Sequence, residues 1–244
     1  MLVAGLYYPV TGFKKENRAR NKQQKEFYSK LIHSGDLVFD IGANVGQRSE
    51  VFSSLAKKVV ALEPQPFCLQ HLKSRFMFTN KVFIEPYAVD SKEGTATLHL
   101  SDSHTISSMS DKFISTVGTS IFKNNNWDNK IEVKTTTLDL LIAKHGLPSF
   151  IKIDVEGFEL NVLKGLSKPV KAISFEFLPM VTDEIKLCAE QLFSVDPGYR
   201  FNYTLGENLD FILPDAVGYK EFIESVLSKI AGEKSFGDIY ALRA

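Results

Sequence analysis

Cysteine, net charge and long apolar runs are all scarce in this chain of 244 residues. Its two cysteines, Cys68 and Cys188, lie far apart in predicted helices, so neither a disulfide framework nor a cysteine metal site is expected. The 29 basic and 29 acidic residues cancel, and therefore no overall field favours nucleic acid or an anionic membrane as a partner.

Targeting segments are also missing from the sequence pattern. No stretch approaches the roughly 18 apolar residues of a membrane span. The apolar start, Met1 to Val10, has no preceding charge and no evident cleavage site, which makes it a poor signal peptide. Together with the free cysteines, these absences lead us to expect a cytoplasmic protein in a reducing compartment, with neither nucleic acid nor a membrane as partner.

Two common signatures of ligand binding do not occur. The dinucleotide fingerprint G-x-G-x-x-G is absent, which disfavours an NAD-dependent oxidoreductase. The five histidines show no zinc-type spacing, and we predict an activity that needs no metal.

The stretch from Leu37 to Gly46, L-V-F-D-I-G-A-N-V-G, is the most informative one. An apolar run followed by Gly42 and Gly46 predicts a buried strand, a tight turn and a helix, which is how a Rossmann unit begins. A pyrophosphate would meet Asp40 as a like charge, whereas the amino group and sulfonium of S-adenosylmethionine suit a carboxylate. The alternative is that Gly42 is only a turn residue.

A second acidic residue follows the next predicted strand. V-V-A-L-E ends in Glu63, 17 residues after Gly46, and Pro64 then breaks the chain. A carboxylate at this strand end can accept hydrogen bonds from both hydroxyls of a ribose. The alternative is a solvated loop carboxylate.

The rest of the chain predicts alternating helices and strands. We expect a helix over Pro66 to Phe78, one strand over Lys81 to Val89, and half-exposed strands over Thr95 to Leu100 and Ile131 to Thr137. Ser101 to Lys130 between them is polar and irregular, so it is interpreted as a loop or lid, or as a disordered insertion. Asp90 is either an Asx-turn residue or lies beside the first two strand ends.

These elements predict an α/β fold with a mostly parallel central sheet, helices on both faces and an antiparallel edge strand. Residues 37–244 are expected to form one domain, and 1–36 an N-terminal helical extension. The basic stretch from Lys14 to Lys25 is interpreted as a solvated helix face rather than a nucleic-acid arm.

The segment I-K-I-D-V-E-G-F-E, 151–159, ends another buried strand. Asp154 lies at its carboxyl end, where open α/β sheets bind ligands. Glu156 is two residues further on, and on extended backbone its carboxylate would point the same way. Glu159 is expected to complement the N-terminus of the following helix and to face away from the strand ends.

D-I-G-A-N-V-G, L-E-P at 62–64, A-V-D-S-K-E-G at 88–94 and I-K-I-D-V-E-G-F-E together resemble the FkbM family of S-adenosylmethionine-dependent methyltransferases. The resemblance implies a Rossmann-like methyltransferase fold, S-adenosylmethionine as cofactor, and usually O-methylation of a sugar, glycan or secondary metabolite. It assigns the donor to Asp40, Gly42, Asn44, Gly46 and Glu63, places Asp90 near adenine, and places Asp154 and Glu156 near the transferred methyl.

The expected chemistry follows from an alcohol acceptor, which must lose a proton during methyl transfer. Asp154 or Glu156 is the preferred general base, and His145 and Glu176 are the alternatives. The motif of many nucleic-acid N-methyltransferases, Asp or Asn followed by Pro-Pro and an aromatic residue, is absent, which favours oxygen as the acceptor atom. The resemblance implies that this oxygen is a free hydroxyl of a small molecule or glycan. A binding module that keeps the fold without catalysis is the non-enzyme alternative.

Overall fold

The computed structural model describes residues 20–101, 107–118, 125–206 and 209–243. Its strands are β1 Leu37–Ile41, β2 Lys58–Leu62, β3 Val82–Glu85, β4 Ala88–Val89, β5 Gly94–Leu100, β6 Asn129–Thr136, β7 Phe150–Ile153, β8 Ala172–Phe177, β9 Tyr199–Leu205, β10 Val217–Gly218 and β11 Gly237–Arg243. Its helices are α1 at 20–28, α2 Gln47–Leu55, α3 Pro66–Arg75, α4 Asp111–Gly118, α5 Leu138–His145, α6 Glu159–Lys164, α7 Thr182–Val195, α8 Tyr219–Glu221 and α9 Leu227–Ala231, the last two joined by a π-helical turn at Phe222–Val226.

Eight strands form the central sheet in the order β10-β9-β11-β8-β7-β1-β2-β3. β1, β2, β3, β7, β8 and β9 run in one direction, while β11 and the edge strand β10 run in the other. The chain passes from β1 to β2 on one side and returns to β7 on the other. This reversal opens a crevice at the carboxyl ends of β1 and β7, where sheets of this type bind ligands.

Alternate residues of the central strands pack against helices on opposite faces. Phe39 and Ile151 belong to the core under α5, α6, α7 and α9, whereas Val38 and Phe150 pack against α1 and α2. The strands are therefore buried on both faces, as their continuous apolar runs indicate. Among the described helices, none combines the length and the apolar character needed to cross a membrane.

The prediction of a single strand over Lys81 to Val89 is wrong. Pro86 separates β3, which pairs with β2, from β4, which pairs with β6 in a second sheet ordered β4-β6-β5. Proline has no N–H for a ladder hydrogen bond and interrupts the strand at that point. The antiparallel pairing of β5 with β6 confirms the two half-exposed strands.

The insertion between β5 and β6 contains ordered structure where it is described. Ser108 forms an isolated bridge with His99 on β5, and α4 follows directly. Lys112 on α4 pairs with Glu184 on α7 at 2.6 Å, so the helix lies against the main domain. Residues 102–106 and 119–124 of this predicted lid lie outside the described residues.

Several helix ends differ from the expectation by a few residues. α3 ends at Arg75 rather than Phe78. The apolar spacing of Phe158, Val162 and Leu163 predicts a helix from Gly157 to Lys164, whereas α6 begins at Glu159. The sequence also predicts Thr137 as the cap of a helix over Leu138 to His145, and its side-chain oxygen accepts from the N–H of Leu140 at 3.1 Å.

Candidate active site

The turn after β1 brings its backbone against the tip of β7. Gly42 has a φ of 81°, and a Cβ built on it would lie 1.8 Å from the carbonyl oxygen of Asp154. No side chain fits there, so glycine is required for the two strand ends to meet. Gly46, with a φ of 84°, serves packing instead, because a Cβ there would collide with Leu72 and Phe76.

Glu63 supports this turn from the tip of β2. Its Oε2 accepts from the N–H of Asn44 at 2.9 Å, and its Oε1 accepts from the N–H of Gln65 at 2.7 Å. Asn44 itself has a left-handed φ of 49°, a conformation that the bond to Glu63 helps to hold. Burial raises the pKa of Glu63 to about 7, although both backbone donors oppose the shift. Each carboxylate oxygen keeps a second lone pair for a ligand.

A narrow cleft of about 520 Å³, including the solvent at its mouth, opens beside Glu63. Tyr87, Ala88 and Val89, from the segment around β4, form one wall, and Met109 from the insertion closes another side. The cleft thus combines a buried carboxylate with a largely apolar slot, the usual composition of a small-molecule site.

A wide cleft of about 1420 Å³, including the solvent at its mouth, lies on the other side of the β1 turn. Asp40 is buried at its floor and accepts from the hydroxyl of Ser49 at 2.5 Å. Burial raises the pKa of Asp40 to about 6, while the hydrogen bond from Ser49 opposes the shift. Arg48 and Arg20 also line this cleft.

The two clefts meet at four shared residues, which are Gly42, Asn44, Asp154 and Glu156. We call this place the junction. The structure therefore brings together most of the predicted site residues: Asp40 and Glu63 lie on opposite sides of the junction, and both predicted catalytic carboxylates lie in it.

The loop that carries Glu156 is not extended, contrary to the expectation. Glu156 has a φ of 56° and Gly157 a φ of 85°, so the chain turns sharply before α6. Two contacts hold the turn: Ser108 donates its hydroxyl to the carbonyl of Glu156 at 2.6 Å, and Glu159 accepts from the N–H groups of Val155 and Gly157. Glu159 thus organises the loop rather than merely complementing the helix, and its burial raises its pKa to about 7.

A third carboxylate joins the predicted pair. Oxygens of Asp154, Glu156 and Glu176 all lie within 4.8 Å of one another. Burial, together with repulsion from Asp154, raises the pKa of both Glu156 and Glu176 well above 4.5. These groups therefore do not all ionise together near neutral pH.

Two charged residues at the floor of the wide cleft escaped the sequence interpretation. Lys152 is 1% exposed, and its Nζ donates to Asp238 Oδ1 at 2.9 Å and lies 3.4 Å from Asp154 Oδ2. A lysine inside the apolar strand F-I-K-I was the available signal. Nothing in the sequence links it to Asp238, which is 86 residues away.

The segment from 40 to 212, more than half of the chain, matches the family model described as the methyltransferase FkbM domain. The chain belongs to the FkbM methyltransferase family. This match confirms the resemblance read from the motifs. The strand order and the family together establish the Rossmann-like methyltransferase fold.

One curated relative of this FkbM chain is the hexuronic acid methyltransferase AglP of Haloferax volcanii, 27% identical over 141 residues. The alignment covers 57% of this chain and 54% of AglP, so the chain spans about half the length of the curated relative it matches.

Solved structures similar to this chain include a methyltransferase FkbM from Methylobacillus flagellatus, with a TM-score of 0.47, 13% identity, and coverage of 95% of this chain and 59% of that one. A precorrin-6y C5,15-methyltransferase from Geobacter metallireducens has a TM-score of 0.49 and 12% identity, covering 91% of this chain and 89% of that one. Because both scores lie below 0.5, the fold assignment rests on the strand order and the family match.

Among the described residues, two predicted site residues of this FkbM chain line neither cleft. Gly46 packs against Leu72 and Phe76, and the other residue is Asp90. Its Oδ1 accepts from the N–H of Ser91 at 2.6 Å and from the side-chain amide of Asn161 at 3.3 Å. The adjacent Ala88 and Val89 line the narrow cleft instead. A role for Asp90 near adenine stays a prediction.

Proposed function

We propose that this FkbM chain transfers a methyl group from S-adenosylmethionine to a hydroxyl oxygen of a small molecule or glycan. The observation that carries the proposal is the pair of clefts that meet at Asp154 and Glu156. A donor with two different halves needs such a site, in which its reactive centre lies between them.

The residues present fit S-adenosylmethionine. Glu63 offers free lone pairs to ribose hydroxyls, and the slot beside Tyr87 and Val89 suits a flat base. Asp40 suits the amino group of the methionine half. Gly42 presents bare backbone at the junction, where a Cβ has no room. The bound donor supplies an electrophilic methyl on its sulfonium.

The protein's own task is to orient the acceptor and to take its proton. Holding the hydroxyl in line with the methyl is worth about 7–11 kcal/mol in favourable cases. Asp154 or Glu156 acts as the general base, since both line the junction, and Glu176 is close enough to share the proton. His145 lies away from both clefts, paired with Glu85.

A neutral hydroxyl is the acceptor that the wide cleft favours. Five carboxylates line it, against two arginines and Lys152, and Lys152 is already paired with Asp238. A carboxylate acceptor would approach like charges, whereas a sugar hydroxyl would find hydrogen-bond acceptors. AglP is named for a hexuronic acid, a sugar with both hydroxyls and a carboxylate, so it supports a sugar acceptor here and leaves the choice of the hydroxyl to the charge of the cleft.

Calorimetric titration with S-adenosylhomocysteine tests the donor site. We expect S-adenosylhomocysteine to bind to the parent and not to the Asp40→Ala, Glu63→Ala double variant. NAD should bind to neither. Glu50→Ala, which removes an exposed carboxylate on α2, is the matched control and should bind like the parent. Binding of NAD alone would support an oxidoreductase and contradict the proposal.

A methyl-transfer assay with labelled S-adenosylmethionine tests the reaction itself. Candidate acceptors are neutral sugars, uronic acids and hydroxylated aromatic compounds. We expect a labelled product whose methyl resists mild alkali, as an ether does. An alkali-labile methyl ester would refute the hydroxyl acceptor, and donor binding without turnover on any acceptor would favour the non-catalytic module.

A further inference from the structure

Lys152 is the cation enclosed by the carboxylates of the wide cleft. We infer that Lys152, fixed by Asp238, is a positioning residue that holds the Asp154 carboxylate and balances the negative charge at the junction. The inference rests on the proposed function, because it concerns the charge beside the donor's sulfonium.

The contacts of the ammonium leave it little freedom. Lys152 Nζ donates to Asp238 Oδ1 at 2.9 Å and to the carbonyl of Ile153 at 3.2 Å, and Asp154 Oδ2 lies at 3.4 Å. An ammonium has three hydrogens to donate, and three oxygens surround this one. Asp154 therefore forms an ion pair, through one oxygen, with a cation that is itself fixed by its hydrogen bond to β11.

The strand register places further charge around Lys152. Lys152 lies opposite Asp40 on β1 and opposite Ser174 on β8, while Asp238 lies opposite Glu176. Six titratable groups interact electrostatically with Lys152: Asp40, Asp154, Glu156, Glu176, Asp238 and Tyr28. Arg20 on α1 and Arg48 on α2 line the same cleft.

The ammonium remains charged in these surroundings. Burial alone would lower the pKa of Lys152, but Asp154 and Asp238 outweigh it and raise the pKa well above 10.5. Lys152 is thus unsuited to act as a base. Its role is that of a permanent charge.

A permanent positive charge at this place has a chemical use. Methyl transfer converts a sulfonium cation into a neutral thioether, so an uncompensated group of carboxylates would stabilise the reactant more than the transition state. Lys152 offsets part of this negative charge while keeping the Asp154 carboxylate in position. A charge too far from the bound donor to act on it would leave the preference between a cationic and a neutral ligand unchanged.

The ratio of the affinities for S-adenosylmethionine and S-adenosylhomocysteine measures this charge without an acceptor. The two compounds differ by one methyl group and one positive charge. Titrations at pH 8.5 compare the parent with Lys152→Met, Asp238→Asn and Ser174→Ala. At that pH, neighbouring carboxylates are least able to take up a proton and mask a lost charge.

We expect Lys152→Met to shift the ratio about tenfold towards the cationic compound and Asp238→Asn to shift it the other way. This is the order expected from one unit charge about 12 Å away at an effective dielectric constant of about 20, and a shorter distance gives a larger shift. Ser174→Ala, a buried neutral change on the same sheet face, should leave the ratio unchanged.

Shifts of opposite sign in the two charge variants support the inference. An unchanged ratio, or a shift of the same sign in both variants, overturns it. If Lys152→Met does not fold, Asp238→Asn decides alone by the same criterion. A parent that binds neither compound would refute the donor site itself. A parent that binds both, with variants that keep its affinity ratio, would overturn only the inference about Lys152.

Discussion

Protonation of Glu63 should weaken donor binding within the physiological pH range. Burial raises its pKa to about 7, against the opposing N–H donors of Gln65 and Asn44. Both carboxylate oxygens already accept one backbone N–H, so their remaining lone pairs are what a ribose can use. A proton on either oxygen turns an acceptor into a donor and removes one of these positions.

The size of the effect follows from the ionised fraction. With a pKa of about 7, about a tenth of Glu63 is ionised at pH 6 and about nine tenths at pH 8, so the association constant for S-adenosylhomocysteine should rise about tenfold between them. Asp40, whose pKa is raised to about 6, adds a smaller change of the same sign.

Stability should change in the opposite direction. Because the pKa of Glu63 is higher in the folded protein than its ordinary 4.5, the folded state binds the proton more tightly. The free energy of unfolding therefore falls as pH rises from about 4.5 to about 7, by at most about 3 kcal/mol from this residue, and levels off above.

Calorimetric titrations and urea denaturation between pH 5 and pH 8 measure both trends. Glu63→Gln should bind more weakly and should flatten both pH profiles, while Glu50→Gln should leave both unchanged. A pH-independent affinity in the parent, or an undiminished slope in Glu63→Gln, would refute the reasoning.

Three other predictions follow from the junction. Gly42→Ala should lower the free energy of unfolding by more than about 2 kcal/mol, because its Cβ overlaps the carbonyl of Asp154 at positive φ, whereas Gly35→Ala, with open space around its Cβ, should be nearly neutral in urea denaturation. Once an acceptor is known, Asp154→Asn or Glu156→Gln should lower kcat about 10²–10⁴-fold while S-adenosylhomocysteine affinity stays within about threefold; an unchanged kcat in both would exclude them as the base. Activity should survive EDTA, and a loss that Mg²⁺ restores would contradict metal independence.

Local pattern was enough to predict the elements that form the junction. Buried strands followed by Gly42, Glu63 and Asp154 were recognisable because glycine, a terminal acid and an apolar run each have a local physical meaning. Thr137 as a helix cap and the two half-exposed strands, β5 and β6, were predictable for the same reason, whereas the pairing of these strands was not. In each case the information lies within about ten residues of the feature.

The features that escaped prediction depend on distant contacts. The left-handed turn at Glu156 is held by Ser108, from an insertion whose packing no local pattern reveals. Lys152 finds its counter-charge on β11, because the sheet order places that strand beside β8. Pro86 was visible in the sequence, but the second sheet that begins after it was not.

The position of β11 has a consequence for how the chain is made. β11 lies between β8 and β9, although it follows both in the sequence. During synthesis on the ribosome, β8 and β9 are made first, and at that stage β11, the antiparallel neighbour that they share, is missing. Asp238 arrives on that late strand, so a nascent chain lacks one of the two carboxylates that pair with Lys152. The sheet and the charge balance around Lys152 are therefore completed in the same step, and a chain cut before residue 237 loses both.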